Sequence, residues 1–204
     1  IRGNGLNQTA IHVHNMHSAS ESDGYPLDFV TSGNYRDHHY AMITAGRTST
    51  GQHDPREVLN TLWYHDHAMD FTAQNVHRGL AGFFLLFNDK DSGNENDPNP
   101  DAYRLPSGVP DGKRVRNRYD IPLMISDARY DSNGVQTMAV MDMDGILGDK
   151  FLVNGRVQPY FEVERRKYRF RILDGGISRF YDLWLSNGMT FTYIANDGNM
   201  IPVP

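Results

Sequence analysis

Short runs that alternate between hydrophobic and polar residues dominate this chain. Residues 9–14 alternate and are rich in β-branched side chains, whereas residues 80–87 form a continuous apolar run. Five further runs are aromatic or β-branched and are bounded by turn residues, which is typical of strands. They are residues 119–125, 151–153, 168–173, 181–185 and 190–194. Residues 70–78 have the pattern of a short helix, so the chain is predicted to be all-β, of sandwich or barrel type.

Three Asn-Gly pairs punctuate the second half of the chain. Asn-Gly is a strong signal for a tight hairpin turn, because both residues adopt a positive φ at little cost. The pairs are Asn133-Gly134, Asn154-Gly155 and Asn187-Gly188. Tight turns between short strands support the all-β prediction.

One segment, residues 89–118, differs in composition from the rest. It is rich in Asn, Asp, Pro and Gly and poor in large apolar residues, which favours a linker or a long surface loop. We therefore divide the chain into three parts. Residues 1–88 are predicted to be the later part of one β domain, residues 89–118 the linker or loop, and residues 119–204 the first part of a second β domain.

Composition and charge narrow the classes of function. The chain has 204 residues, of which 39% are hydrophobic and 22% charged, an ordinary composition for a globular protein. The apolar runs are too short to cross a bilayer, so no membrane role is expected. The formal net charge is −5, and the one dense basic stretch, residues 165–171, alternates with aromatic residues. That alternation favours a half-buried strand over a nucleic-acid patch, so no nucleic-acid partner is expected.

Cysteine is absent from the sequence. Disulfides, thiolate catalysis and cysteine-based zinc or iron–sulfur sites are therefore excluded within these residues. The chain begins Ile1-Arg2-Gly3-Asn4, without an initiator methionine or a signal-peptide pattern. Its start is therefore expected to be processed or truncated.

Four of the nine histidines form two His-x-His pairs, His12 with His14 and His65 with His67. Residues two apart on a strand point to the same face, so each pair aims two imidazoles at one region, and the residue between them faces the other way. Imidazole is a good ligand for copper, zinc, iron and nickel. Two such pairs beside strand-like runs predict a metal site, but they do not identify the metal.

A zinc-dependent hydrolase is one alternative. Some dinuclear hydrolases use a His-x-His-x-Asp-His pattern, but here Met69 stands two residues after His67 and Asp70 follows it, so that register fails. Barrel hydrolases that carry His-x-His on an early strand also need long alternating helices, which this sequence does not predict.

Around the second pair, the sequence resembles the second copper motif of three-domain multicopper oxidases, and in particular the branch of bilirubin oxidase and the bacterial spore-coat laccases. The motif residues are Leu62, Trp63, Tyr64, His65, Asp66, His67, Ala68 and Met69. The resemblance continues through residues 72–82 and the apolar run that follows. This motif is specific to the family.

Other segments extend the resemblance to nearly the whole chain. Residues 11–15 are similar to the first copper motif, although the family usually has Trp or Leu where Val13 stands and Gly where Asn15 stands. Residues 119–123 resemble the connection between the first two cupredoxin domains. Residues 167–173 resemble the start of the second domain, and the first five of them are again a specific match.

The resemblance implies a cupredoxin-like Greek-key β-sandwich or barrel that holds part of a trinuclear copper cluster. It implies that His12 binds the type 2 copper and that His14 and His65 bind one type 3 copper. His67 is expected to bind the other type 3 copper. The remaining cluster ligands and the type 1 copper are expected in a third cupredoxin domain, in the remainder of the same polypeptide.

The implied activity is that of a copper-dependent oxidase of the laccase or bilirubin oxidase type. Such an enzyme removes single electrons from phenolic, tetrapyrrole-type or other small aromatic donors and reduces O2 to water at the trinuclear cluster. Asp23 matches the family acid that delivers protons, although Asp23-Gly24 is also an ordinary turn sequence. The resemblance further implies a secreted or extracytoplasmic protein.

Two other functions stay open. One is that of a relative that keeps the cupredoxin fold without copper and acts as a non-catalytic binding or assembly protein; retention of the four histidines disfavours it. The other is oxidation of cuprous ions, since Met138, Met141 and Met143 form a short Met-rich segment and methionine binds Cu(I). Flexible packing is the simpler interpretation of those methionines.

Overall fold

A computed structural model describes residues 8–44, 54, 56–108, 118–138 and 143–202, and its strands form four sheets. In chain order the strands are β1 (Gln8–Thr9), β2 (Ile11–His14), β3 (Val30–Thr31), β4 (Thr61–Asp66), β5 (Ala81–Leu85), β6 (Asp120–Tyr130), β7 (Gln136–Thr137), β8 (Lys150–Val153), β9 (Arg156–Val157), β10 (Arg169–Asp174), β11 (Ala195–Asn196) and β12 (Asn199–Met200). One α-helix, α1 (Thr72–His77), lies between β4 and β5, and a short 3-10 helix covers Ser20–Ser22. The all-β prediction is confirmed.

The sheet that contains both histidine pairs has the order β2-β4-β5, with both pairings antiparallel. The residue between the two histidines of β2, Val13, points to the other face. There it packs with Met16, Leu59 and Leu62 in a buried core, against which Phe84 of β5 also lies. One face of the sheet is therefore anchored in the core, while the opposite face carries the imidazoles.

The second large sheet has the order β10-β6-β8-β9, with β7 paired to the end of β6. β6 runs parallel to β10 and antiparallel to β8. Asn154 and Gly155 join β8 to β9 with φ values of 50° and 76°, as the hairpin signal predicts. Gly134, between β6 and β7, has a φ of 76° and confirms the second of the three turn predictions.

The buried face of β10 is its charged face. The guanidinium of Arg169 donates two hydrogen bonds to Asp91, at 2.8 and 2.6 Å. That of Arg171 donates two to Asp120, both at 2.8 Å, and one to the hydroxyl of Thr61 at 2.7 Å. The four charged side chains, which we call the buried charge cluster, are at most 4% exposed. Because Thr61 begins β4 and Asp91 follows β5, the cluster connects the two large sheets.

The last hairpin, β11–β12, packs against the segment that enters β4. The N–H of Asn60 donates to the carbonyl of Gly198 at 2.9 Å, and the N–H of Met200 donates to the carbonyl of Val58 at 3.1 Å. Leu59 and Asn199 form an isolated antiparallel bridge between these hydrogen bonds. The tip of this hairpin therefore lies beside the histidine-bearing sheet.

Two predicted strands, at residues 181–185 and 190–194, are wrong. Neither run belongs to a ladder in the described part of the chain. A strand needs a neighbour for its main-chain N–H and C=O groups, and the described residues bring no paired strand beside these runs. Most of their aromatic side chains are exposed, with Trp184 at 78% and Tyr193 at 60%. The turn at Asn187-Gly188 does form, but without flanking strands.

The other predicted elements are confirmed with shifted ends. The helix predicted at 70–78 is α1, and the strand predicted at 9–14 is interrupted at Ala10. The described residues of the 89–118 segment contain neither strand nor helix, and the division of the chain into domains there stays a prediction. No helix in the described ranges is long and apolar enough to cross a membrane.

Replacing Asp120 with asparagine is expected to lower the free energy of unfolding by about 3–5 kcal/mol, because it leaves the Arg171 guanidinium buried without its counter-charge. Asp149→Asn is the matched control, since Asp149 pairs with Lys150 at the surface, and loss of an exposed pair costs less than about 1 kcal/mol. Denaturant titration measures both. Equal, small losses in the two variants would show that the buried charge cluster does not stabilise the fold.

Candidate metal centre

The paired histidines converge on one region beside the first large sheet. His12 and His65 are direct partners across β2 and β4, and their ring centroids lie 5.4 Å apart. His14 extends from the same face of β2, and its ring lies 5.8 Å from that of His12 and 5.6 Å from that of His65. The rings therefore meet as the strand register predicts, whereas their role as ligands stays a prediction.

His67 reaches this cluster from just beyond the end of β4. Its N–H donates to the carbonyl of Ala10 at 2.7 Å, which extends the link between the two strands by one residue. The His67 ring lies 5.0 Å from that of His12 and 5.8 Å from that of His65. All four predicted metal-binding residues thus belong to one cluster of imidazoles.

The nitrogen atoms inside the cluster suit a metal ion. Ligand nitrogens of His12, His14 and His65 all lie within 4.8 Å of one another, and Nδ1 of His14 is 3.4 Å from Nε2 of His65. Bonds from a transition metal to imidazole are about 2.0–2.1 Å long, so one ion can bridge that pair. Nδ1 of His67 is buried without a hydrogen-bond partner among the described residues, as expected of an atom kept for a metal. The donor set therefore fits copper.

In two of the rings, the outer nitrogen, which is the one that points away from the centre of the cluster, is hydrogen-bonded to a main-chain carbonyl. Nδ1 of His12 donates to the carbonyl of Asp23 at 2.6 Å, and Nδ1 of His65 donates to that of Asp66 at 2.7 Å. Each bond places the ring proton on Nδ1. The Nε2 lone pair of each ring is thereby left free to bind a metal.

The position of His65 favours the neutral form of its ring. Burial lowers the pKa of His65 below its ordinary value of 6.5, because a charged ring would lose its hydration. The hydrogen bond to the Asp66 carbonyl acts in the opposite direction, and the three neighbouring histidines lower the pKa further. Since a metal binds neutral imidazole, His65 stays available as a ligand at a lower pH than an exposed histidine does.

The carboxylate of Asp66 joins the chain segments on either side of the cluster. Its Oδ1 accepts from the hydroxyl of Thr9 at 2.7 Å and from the N–H of Ala10 at 2.9 Å. Its Oδ2 accepts from the N–H of Ala68 at 3.2 Å and from the side-chain amide of Asn75 at 3.1 Å. Four hydrogen bonds satisfy this buried group, so the residue between the second pair of histidines has a structural task.

Asp23 lies at the edge of the cluster, directly after the 3-10 helix. Its Oδ1 is 3.3 Å from Nδ1 of His12, and its side chain is 45% exposed. The next residue, Gly24, has a φ of 80°, and a Cβ there would lie 2.4 Å from the carbonyl oxygen of Ile11. Glycine therefore lets this turn press against β2, which brings Asp23 to His12. Its proton-delivery role stays a prediction.

The sequence does not identify two further neighbours of the cluster. The ring of Trp63 stacks on His14 at 5.0 Å and lies 4.3 Å from His65, although the motif indicates only that it packs in the strand. Oδ1 of Asp197 lies 3.8 Å from Nε2 of His14. The pair Asp197-Gly198 is itself a hairpin signal, but nothing local indicates where that hairpin docks.

The other described histidines lie outside the cluster. His17 pairs with Glu57 at 2.5 Å, His38 stacks on Tyr40, and His77 is hydrogen-bonded to the carbonyl of Thr137. His53 and Met141 lie outside the described residues, and Met143 is 99% exposed.

Similar proteins are known, although no family model matches the chain. A bilirubin oxidase from Albifimbria verrucaria is 32% identical over 201 residues, which cover 96% of this chain and 30% of that protein. A laccase from Bacillus stratosphericus is 35% identical over 219 residues, which cover 97% of this chain and 37% of that protein. The chain thus spans about a third of the length of these relatives.

A solved structure shares the fold. A variant of the McoA multicopper oxidase from the hyperthermophile Aquifex aeolicus superposes with a TM-score of 0.63 and 31% identity, over 86% of this chain and 33% of that one. This likeness confirms the predicted cupredoxin fold. Sequence, fold and the placement of the histidine pairs agree that the chain belongs to the multicopper oxidase family.

Proposed function

We propose that this chain supplies four ligands of a trinuclear copper cluster in an oxidase of the laccase or bilirubin oxidase type. The observation that carries the proposal is the convergence of four imidazoles from two antiparallel strands, at His12, His14, His65 and His67. Neutral nitrogen ligands bind copper without adding charge to the site.

The geometry supports a specific division of the ligands. The 3.4 Å approach of Nδ1 of His14 to Nε2 of His65 supports one shared type 3 copper. His67 approaches from beyond the end of β4 and is assigned to the other type 3 copper. His12 is assigned to the type 2 copper. The type 1 copper and the remaining cluster ligands belong, in this proposal, to the third cupredoxin domain in the rest of the polypeptide.

When bound, the copper ions supply the redox chemistry, in which four electrons from a reducing donor and four protons convert O2 to two molecules of water. Residues of this chain hold the histidine rings and orient them. The Asp66 carbonyl keeps the proton of His65 on Nδ1, and the Asp23 carbonyl does the same for His12. Trp63 covers one face of the His14 ring and limits its rotation.

Asp23 is the proposed proton donor of this half of the site. Its carboxylate is partly exposed, so it exchanges protons with water, and it lies 3.3 Å from the ring of His12. A group that touches both solvent and the edge of the cluster is placed to carry protons inward.

The donor class proposed is phenolic, tetrapyrrole-type or otherwise small and aromatic, in line with the names of the bilirubin oxidase and the laccase. The donor site is expected beside the type 1 copper, outside these residues. An extracytoplasmic location stays a prediction.

Metal analysis of the complete polypeptide separates this proposal from its alternatives. Copper supports the oxidase, zinc would support a hydrolase, and a protein without metal would support a non-catalytic binding or assembly role. Oxidation of cuprous ions rather than aromatic donors would identify a cuprous-ion oxidase.

Replacing His65 or His67 with alanine is expected to abolish O2 reduction and to lower the copper content, because each change removes a ligand nitrogen. His77→Ala is the matched control, since His77 ends α1 and its ring is hydrogen-bonded to the carbonyl of Thr137, outside the cluster. Circular dichroism should show a retained fold in all three variants. Wild-type O2 consumption by either cluster variant would exclude its ligand role.

Asp23→Asn is expected to slow steady-state O2 reduction by about 10²-fold or more, the usual contribution of a general acid. Single-turnover oxidation of the donor should stay near wild type, and copper should be retained because the main-chain carbonyl still holds His12. Asp28→Asn, which changes another acid of the same loop, is the control. If neither rate changes in Asp23→Asn, the proton-delivery role is wrong.

The free energy of unfolding of the metal-free protein should decrease as the pH is lowered below 6.5, the ordinary pKa of histidine. Burial lowers the pKa of His65 in the folded state, so between that lowered pKa and 6.5 the unfolded chain binds a proton that the folded chain does not. Stability therefore rises as pH increases through this window. Denaturant titrations across the window should show a weaker dependence in His65→Gln, and an identical dependence would contradict the buried neutral ring.

A further inference from the structure

We propose that Asp197, at the tip of the β11–β12 hairpin, is a positioning residue for His14. The inference rests on the proposed copper cluster and adds a side chain from the far end of the chain to it. Oδ1 of Asp197 lies 3.8 Å from Nε2 of His14, while 182 residues of sequence separate them.

The orientation of His14 differs from that of His12 and His65, whose Nδ1 atoms face carbonyls. Its Nδ1 faces inward, 3.4 Å from Nε2 of His65, so its Nε2 faces outward, toward Asp197. Stacking on Trp63, with the ring planes 26° apart, keeps the imidazole in this orientation. If Nδ1 binds a metal, the proton must reside on Nε2, and an acceptor on that side determines how firmly the ring is held.

His12 and His65 show what such an acceptor does. Each donates its outer N–H to a carbonyl oxygen, at 2.6 and 2.7 Å, and each keeps its inner nitrogen free. Asp197 places a carboxylate on the corresponding side of His14. The 3.8 Å separation is longer than a hydrogen bond. The Asp197 side chain is 70% exposed, which leaves it room to rotate toward the ring.

The hairpin that carries Asp197 is fixed to the sheet of the cluster. The N–H of Val58 donates to the side chain of Asn199 at 2.6 Å, in addition to the two main-chain bonds at Asn60 and Met200. The side-chain amide of Asn15, the residue after His14, donates to the main-chain carbonyl of Asp197. These contacts hold the hairpin tip against the end of β2.

The turn itself directs the side chain. Asp197 and Gly198 have φ values of 46° and 81°, the left-handed pair that a two-residue hairpin loop requires. A Cβ at Gly198 would lie 2.6 Å from Cδ2 of Leu62, so glycine there lets the turn reach β4. Asp tolerates the left-handed conformation at 197 better than most residues. The same local geometry therefore docks the hairpin and brings the carboxylate to His14.

A carboxylate that accepts the outer N–H of a ligand histidine fixes its tautomer and makes the inner nitrogen a stronger donor. Loss of such a partner typically weakens metal binding by about 10-fold to 100-fold. We therefore expect Asp197 to influence the copper shared by His14 and His65 more than the copper bound by His12.

The test compares Asp197→Gly and Asp197→Asn in the complete copper-loaded polypeptide. Both substitutions tolerate a positive φ, so the turn is kept. Glycine removes the acceptor, whereas asparagine keeps one oxygen without the charge. Copper retention is measured against a chelator, and electron paramagnetic resonance reports the copper that is not coupled in a pair. Asn154→Gly places glycine at the corresponding turn position of the β8–β9 hairpin and is the control. It removes the hydrogen bonds of the Asn154 side chain with the N–H of Met124 and the carbonyl of Pro122, neither of which belongs to the cluster.

The proposal expects a chelator to remove copper from Asp197→Gly at a concentration about 10-fold to 100-fold lower than from the wild type. Loss of one partner of the type 3 pair should also raise the fraction of copper visible by electron paramagnetic resonance. Copper retention in Asp197→Asn should lie between that of the wild type and that of Asp197→Gly. Copper retention in Asn154→Gly should match the wild type. Wild-type copper retention and spectra in Asp197→Gly would overturn the positioning role. His14→Ala tests the proposed cluster separately: if it too keeps all its copper, the cluster assignment itself fails.

Discussion

The candidate site depends on the register between two antiparallel strands. His12 lies directly opposite His65, and a slip of one residue would turn one pair of imidazoles to the opposite face. Two features prevent the slip. Val13 and Leu62 are buried in the core on the opposite face. The carboxylate of Asp66, the last residue of β4, accepts hydrogen bonds from Thr9 and Ala10, which directly precede β2. The convergence of the imidazoles is thus a consequence of ordinary sheet packing, which places them on the face that the core leaves free.

The buried charge cluster connects that register to the rest of the chain. Arg171 bonds Asp120 at the start of β6 and also the hydroxyl of Thr61, the first residue of β4. The strand that carries His65 is therefore fixed at one end by charges from the second large sheet and at the other by Asp66. Buried ion pairs contribute little net stability compared with apolar packing, but breaking one is costly. Arg171 thereby fixes the start of β4 relative to the second large sheet, next to residues 58–60, on which the β11–β12 hairpin docks.

The sequence predicts what depends on neighbouring residues and misses what depends on distant ones. A period of two places the histidines of each pair on one face, and Asn-Gly pairs form turns, because both rules act over a few residues. The runs at 181–185 and 190–194 have strand composition but no paired partner among the described residues, and composition cannot supply one. The choice of the arginine face of β10 for burial depends on Asp91, 78 residues before Arg169. The copper motifs predict the four histidines as ligands, whereas the approach of Asp197 to His14 is seen only in the fold.

The outer nitrogens of His12, His65 and His14 face different kinds of acceptor, and the difference has a physical consequence. His12 and His65 donate to main-chain carbonyls, so no single substitution at the acceptor residue removes those bonds. His14 faces a side chain, Asp197, and that contact depends on residue identity and on the docking of a hairpin. In the proposed copper site, two of the ligands would be held by the backbone and a third by a distant carboxylate. The carboxylate side is the one where a single substitution can change how strongly a ring nitrogen donates to a metal without altering the sheet.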